Sequence, residues 1–230
     1  MKLHYETVSP LLVNCLNIIA QSEIFKNFNL VGGTCLSLQL GHRRSIDIDL
    51  FTDMEYGTMN TIAIKEFLQE KFQYVENLES FDTQALGYSI RIGHSRNDSV
   101  KVDFFYTEKF IFPIHHIDGI NFADIREIAA MKIKAITQYE PRQKDFWDIY
   151  ELTNIYTLKE MIRWSIKRDE WSINEKEIEA GFQRITEVKE CIEGIDCYRG
   201  YAWELISLDL KKMAEKYFQI KSSEQEETTI

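Results

Sequence analysis

Proline is nearly missing from this chain of 230 residues: it occurs only at positions 10, 113 and 141, so no proline-rich linker divides it. Cysteine is also sparse. Cys15, Cys35, Cys191 and Cys197 form no CxxC pair, and the five histidines fall in no zinc-ligand spacing, which argues against structural zinc or a disulfide framework. Buried thiols in a reducing compartment are expected instead. His115 and His116 are adjacent, so a strand would send one inward and one outward, and neither is assigned a ligand role. No apolar run approaches the roughly 18 to 20 residues of a membrane span, and no basic stretch followed by an apolar one opens the chain. The expected location is the cytoplasm, with no membrane partner. Positive charge is in deficit: 27 Lys and Arg face 37 Asp and Glu, a formal charge of -10. The global field therefore repels nucleic acid, and any RNA contact needs a local basic patch.

What the chain does have is core material, with 44% apolar residues and 13% aromatics. Ser9-Pro10 reads as an N-cap followed by proline at the first helical position, and Leu11, Leu12, Cys15, Ile18 and Ile19 then recur at helical spacing. Asn29-Leu30-Val31 runs into Gly32-Gly33, and the leucines up to Leu40 precede Gly41: a strand end, a tight turn and a short helix with a glycine stop. Ile46 to Phe51 reads as a strand and residues 58 to 71 as a helix. Tyr74 to Phe81, Ala85 to Ile92 and Val100 to Tyr106 have the β-branched and aromatic content of strands. From Asp124 the texture becomes helical. Asp124-Ile-Arg-Glu127 looks like a capping-box variant, and Pro141 marks a break between a helix carrying Lys132 and one beginning near Lys144. The expected division is an α/β part over 1–120, a helical part over 121–220 that shares its cleft, and a disordered polar tail over 221–230.

The chemistry is concentrated in carboxylates. In Ile46-Asp47-Ile48-Asp49-Leu50, period-two alternation sends both acids to one face and the three aliphatic residues to the other. Like charges side by side repel unless a divalent cation sits between them. Asp103 in Lys101-Val102-Asp103-Phe104-Phe105 repeats the pattern of one acid among large apolar residues, where burial disfavours a charge. Three acids on rigid strands suit a two-metal centre for in-line phosphoryl displacement. Asp-Ile-Asp by itself also fits a solvated strand edge, and a lone Gly-Gly also fits a plain turn. Gly32-Gly33-Thr34, however, stands at a strand-to-helix turn 13 residues before Asp47, where backbone amides can grip a triphosphate.

Taken together, Gly32-Gly33-Thr34 through Leu40-Gly41-His42-Arg43, Ser45 and Asp47-Ile-Asp49-Leu-Phe51 resemble the first signature of the AbiEii/AbiGii toxin branch of the polymerase-β-like nucleotidyltransferases. Asp103 falls where that family places its third acid. Ile128-Ala-Ala-Met-Lys132 and Lys144-Asp145-Phe-Trp-Asp148-Ile-Tyr150 resemble its downstream lysine and (R/K)D-x-x-D segment, so the resemblance covers roughly residues 28 to 155. It implies an α+β fold: a minimal nucleotidyltransferase mixed sheet with flanking helices, followed by a helical half. It also implies magnesium or manganese, a nucleoside triphosphate as substrate, an RNA (tRNA) or protein acceptor, and a toxin paired with a cognate antitoxin.

Carried over residue by residue, Gly32, Gly33 and Thr34 would hold phosphate oxygens. Asp47 and Asp49 would ligate metal, and Asp103 would join them while helping to deprotonate the acceptor. Lys132 would contact nucleotide phosphate or base, and Asp145 would orient Lys132 or the nucleotide. Asp148, one helical turn on, is read as a partner for Lys144 at i to i+4. Arg43 is read as a phosphate clamp, with a salt bridge to a nearby acid as the other use of its guanidinium. Relatives often carry Arg-Gly before the late acid; here Tyr139-Glu-Pro-Arg142-Gln intervenes with one extra residue, which leaves Arg142 without an assigned role. Arg163, Lys167 and Arg168 form either an acceptor patch or, as favoured, a solvated helix face. Trp147, Trp164, Trp171 and Trp203 are read as core. Two other functions remain open: a catalytically degenerate module that binds nucleotide or protein, and a nucleotidyltransferase or phosphotransferase acting on a small molecule.

Overall fold

The structure is a computed structural model and describes residues 2–76, 78, 85–188 and 195–227, with side chains described to residue 221. It divides into two compact units, Met1–Ile125 and Arg126–Ile230.

The first unit is built on a sheet of seven strands among the described residues: β1 (Asn29–Val31), β2 (Asp47–Thr52), β3 (Tyr74–Val75), β4 (Gly87–Ser95), β5 (Asp98–Tyr106), β6 (Ile114–Ile117) and β7 (Ile120–Ala123). Their order is β3-β4-β5-β2-β1-β7-β6. β2 runs parallel to β5 and β1 parallel to β7, while the other neighbours are antiparallel, so the sheet is mixed. Helix α1 (Pro10–Ala20) begins as its sequence dictates: the Ser9 hydroxyl accepts from the Leu12 N–H at 3.1 Å, with proline in the first turn. It packs against β2, β4, β5 and β7. Ile48, Leu50, Ile90, Ile92, Val102 and Phe104 are buried at alternate positions of their strands; Phe25 stacks on Phe104 and meets Phe67 edge-on, while Phe28 is tilted to Phe25 and edge-on to Phe104.

Helix α2 (Gly32–Leu40) follows β1 without a connecting loop and stops at Gly41, whose φ of 67° places it in the left-handed region. Helix α3 (Thr61–Lys71) is capped by the Asn60 side chain and packs on β3. Three local expectations are corrected here. Ile46 precedes β2 and is 48% exposed, so only Ile48 and Leu50 supply the apolar face of that strand. β3 ends at Val75, and most of the remaining stretch to Phe81 lies outside the described residues. His115 and His116 are both exposed on the edge strand β6, where they bond to Asp124 and Asn121.

The second unit is helical: α4 (Ile125–Ala135), α5 (Gln143–Leu152), α6 (Leu158–Arg168), α7 (Glu175–Gln183) and α8 (Trp203–Glu227). Full capping boxes at Thr157/Glu160 and Asn174/Glu177 start α6 and α7. α8 packs against α5, α6 and α7, and Phe146, Trp147 and Trp203 form a joint aromatic contact. α8 continues through Lys221 to Glu227, and 228–230 lie outside the described residues. Trp171 departs from the core assignment: it is 99% exposed in the turn after α6. Among the described residues no helix is long and apolar enough to cross a membrane.

Candidate active site

Pairing of β2 with β5 brings the acids to one place. Asp47 stands opposite Lys101 and Asp49 opposite Asp103, in parallel register, and neighbouring strands are about 4.8 Å apart. Alternation makes all four side chains share one face, opposite to Ile48 and Val102, and each acid is half-buried. The face thus carries three carboxylates and one ammonium.

Asp103 is held by two donors. The Ser89 hydroxyl on β4 donates to Oδ1 at 2.6 Å, and the Lys101 ammonium meets Oδ2 at 2.6 Å. Neither partner was singled out in the sequence. Lys101 was legible in principle, because Lys-x-Asp on a strand puts both residues on one side; Ser89 has no local signal, since it depends on the β4–β5 register. In these side-chain positions no three His, Cys, Asp or Glu among the described residues are grouped to hold a metal ion.

The glycine turn lies against the second acid. β1 pairs with β2 so that Val31 faces Asp49, and Gly32 follows with φ of 69°. A Cβ at Gly32 would overlap the Asp49 carboxylate, standing 2.8 Å from its Cγ. A backbone that must approach this closely at positive φ requires glycine. Gly33 is covered differently: its Cβ would meet the Arg43 guanidinium at 2.5 Å from Nη2. Arg43 is 4% exposed, and its Nη1 donates to the Arg44 carbonyl at 2.9 Å. Thr34 is fully buried; its hydroxyl donates to the Asp47 carbonyl and lies 2.8 Å from the Ser45 hydroxyl. That side chain ties the first turn of α2 to the start of the acidic strand.

The donor set suits a hard cation. Three carboxylates, with no imidazole or thiolate among them, match magnesium or manganese, and glycine at position 32 lets the backbone of the turn lie directly against the Asp49 carboxylate. Cys15 and Cys35 are unsuited to thiolate chemistry near neutral pH: burial pushes Cys15 up to about 11 and raises Cys35 as well. Cys197 is part-exposed, and Cys191 lies outside the described residues.

In the helical unit the late-motif residues form a buried charge network. The Lys132 ammonium lies 2.7 Å from Asp145 and 2.7 Å from Asp148, with these side chains 6%, 1% and 0% exposed. Asp148 therefore pairs with Lys132, a partner that the i to i+4 reading with Lys144 did not include. Arg142 grips Asp145 with Nε at 2.8 Å and Nη2 at 3.2 Å, which gives that arginine a structural place. Burial pushes the Asp145 carboxyl up, but the Lys132 and Arg142 charges outweigh it and hold the group below the usual carboxylate range. Glu127 and Arg168 make a second buried pair at 2.5 Å, which removes Arg168 from the basic cluster with Arg163 and Lys167.

A mixed sheet whose paired strands carry acids beside a Gly-Gly helix start defines a nucleotidyltransferase-type fold. A presumptive nucleotidyltransferase from Helicobacter pylori shares it, with a TM-score of 0.54 at 15% identity over 89% of this chain and 90% of that one. The H. pylori protein JHP933 does so with a TM-score of 0.52 at 16% identity, over 96% and 95%. The family model for the nucleotidyl transferase AbiEii toxin of type IV toxin–antitoxin systems matches residues 15–187, and the chain belongs to that family. A protein of Aquifex aeolicus with no assigned function is 27% identical over 215 residues, covering 89% of this chain and 94% of its own.

Proposed function

We propose that this chain transfers a nucleotide from a nucleoside triphosphate to a hydroxyl of RNA or protein, using a divalent cation held by Asp47, Asp49 and Asp103. The observation that carries the reading is the parallel register that sets Asp49 across from Asp103, with Asp47 on the same face and Gly32 against Asp49. A bound magnesium ion would neutralise phosphate charge and align the attacking and leaving oxygens. The acceptor oxygen bonds to the α-phosphorus as the bond between α- and β-phosphates breaks and pyrophosphate departs. Asp103 accepts the hydroxyl proton. Backbone N–H groups at the start of α2, in Gly32 and Gly33, bind phosphate oxygens at the positive end of the helix dipole.

The Thr34 side chain serves this site by fixing α2 to Asp47, and its hydroxyl is engaged within the protein. Arg43, lying over Gly33, supports the phosphate-gripping turn and adds positive charge to it. Lys132 is read as a contact for nucleotide phosphate or base, with Asp145 orienting it through the 2.7 Å bond. In the cell the transfer inhibits growth, and a cognate antitoxin protein restrains it.

The test is incubation with each α-labelled triphosphate, magnesium and either total RNA or cell lysate, comparing wild type with Asp47→Ala. Label that enters RNA or protein only with the wild type supports the reading and identifies the acceptor. Label confined to a small product moves the activity to a small-molecule acceptor. No Asp47-dependent label with any triphosphate overturns catalysis in favour of a binding module.

A further inference from the structure

We propose that Lys101 is a built-in counter-ion that occupies the third carboxylate of the acidic face and must be displaced before a divalent cation can use Asp103. The proposal rests on the reading of Asp47, Asp49 and Asp103 as a metal centre.

Three observations lead to it. Lys101 stands across from Asp47 in the β2–β5 register and two residues from Asp103 on the same strand, so its stem rises from the same face as all three acids. Its ammonium sits 2.6 Å from Asp103 Oδ2, while the Ser89 hydroxyl takes Oδ1 at 2.6 Å, so both oxygens of that carboxylate are bonded to the protein. The Lys101 side chain is 39% exposed against 14% for Asp103, so the lysine can swing toward water with its stem intact while the acid stays in place.

Electrostatics gives this pair a purpose. Three carboxylates on adjacent positions of one sheet face repel each other, and the repulsion is strongest without a cation. A lysine on the same face offsets one of the three charges in the metal-free protein and leaves when a doubly charged ion replaces it. Lysine suits the role better than arginine, because a point-charge ammonium on a flexible stem has no fork to hold the carboxylate by two parallel bonds. The consequence is a lowered metal affinity in the resting protein: the ion must compete with a tethered cation for one ligand. Displacement also frees an ammonium beside the bound ion, where a triphosphate brings negative charge.

Manganese binding, followed as loss of the free Mn²⁺ signal in electron paramagnetic resonance, tests this without reference to turnover. Lys101→Met should bind Mn²⁺ about tenfold more tightly than wild type, a factor worth ~1.4 kcal/mol. Lys101→Arg keeps the charge and should bind within about threefold of wild type, or more weakly. Arg91→Met controls for net charge: Arg91 stands across from Lys101 on β4 but bonds to Ser99, and its loss should shift affinity by less than about threefold. Asp49→Asn should abolish tight binding. Equal affinity in Lys101→Met and wild type, with loss in Asp49→Asn, overturns the counter-ion role and leaves the metal centre standing. Equal gains in Lys101→Met and Arg91→Met also overturn it, since only overall charge would then matter. No binding by any of the proteins overturns the role together with the metal centre.

Discussion

Gly32 and Asp49 are packed so closely that the glycine has no room for a methyl group: a Cβ there overlaps the carboxylate. The turn that would receive the triphosphate and the acid that would hold the metal are thus one steric unit. Gly32→Ala adds that overlap to a φ of 69°, and such strain costs about 1–3 kcal/mol. Denaturant unfolding should show a loss of that size, with nucleotide transfer lost as well. Gly33→Ala meets the Arg43 guanidinium but carries no positive φ and should cost less; a larger penalty at Gly33 than at Gly32 would contradict the geometry.

Thr34 is the second structural link between turn and strand. Thr34→Val keeps the shape but leaves the Asp47 carbonyl without this donor, a loss of about 1–3 kcal/mol at a buried site. Thr34→Ser keeps the hydroxyl and should lose about 1 kcal/mol or less. Unfolding midpoints of the two variants decide the matter. If valine and serine behave alike, the hydroxyl is not the link.

Lys132 neutralises two buried carboxylates, so removing it should be costly. Lys132→Met leaves Asp145 with Arg142 and strips Asp148 of the 2.7 Å bond it makes to the ammonium. Breaking a buried ion pair on one side typically costs about 3–5 kcal/mol. Chemical denaturation of Lys132→Met should show a loss in that range, and a loss below about 1 kcal/mol would mean that the pair contributes little to folding.

Acid should act on the same network. Asp145 titrates lower in the folded chain than in the unfolded one, so the unfolded chain binds the proton first as pH falls. Its contribution to stability is fully present above the ordinary carboxylate value near 4 and is lost as pH drops toward the lower folded value. Melting temperature plotted from pH 6 to pH 2 should fall across that window in wild type. The fall should be shallower in Asp145→Asn, and identical acid limbs would contradict the assignment.

Features with a local cause were legible in the chain. Asp-Ile-Asp on a period of two needs only strand alternation to share a face, and Ser9-Pro10 needs only the capping geometry of one helical turn. Gly32-Gly33 needed its position between an apolar strand and a leucine-rich helix. The features that escaped depend on partners far along the chain. Ser89 reaches Asp103 through strand register, and the buried Asp148 meets Lys132, 16 residues away, a partner that no local spacing reveals. The Glu127 of the apparent capping box also meets Arg168, 41 residues on. Trp171 was assigned inward on residue type alone, yet the turn following α6 carries it into solvent. Hydrophobicity ranks where a side chain prefers to be, and backbone direction at a helix end decides where it can go.

The most direct measurement of the central claim is an anomalous-scattering map from a crystal soaked with Mn²⁺ and a non-hydrolysable triphosphate analogue. The expected result is a manganese peak about 2.1 Å from oxygens of Asp47 and Asp49, with Lys101 swung off Asp103, that carboxylate facing the ion, and the polyphosphate on the Gly32-Gly33 amides. Nucleotide and metal bound elsewhere, with the three acids unchanged and Lys101 still on Asp103, would contradict it.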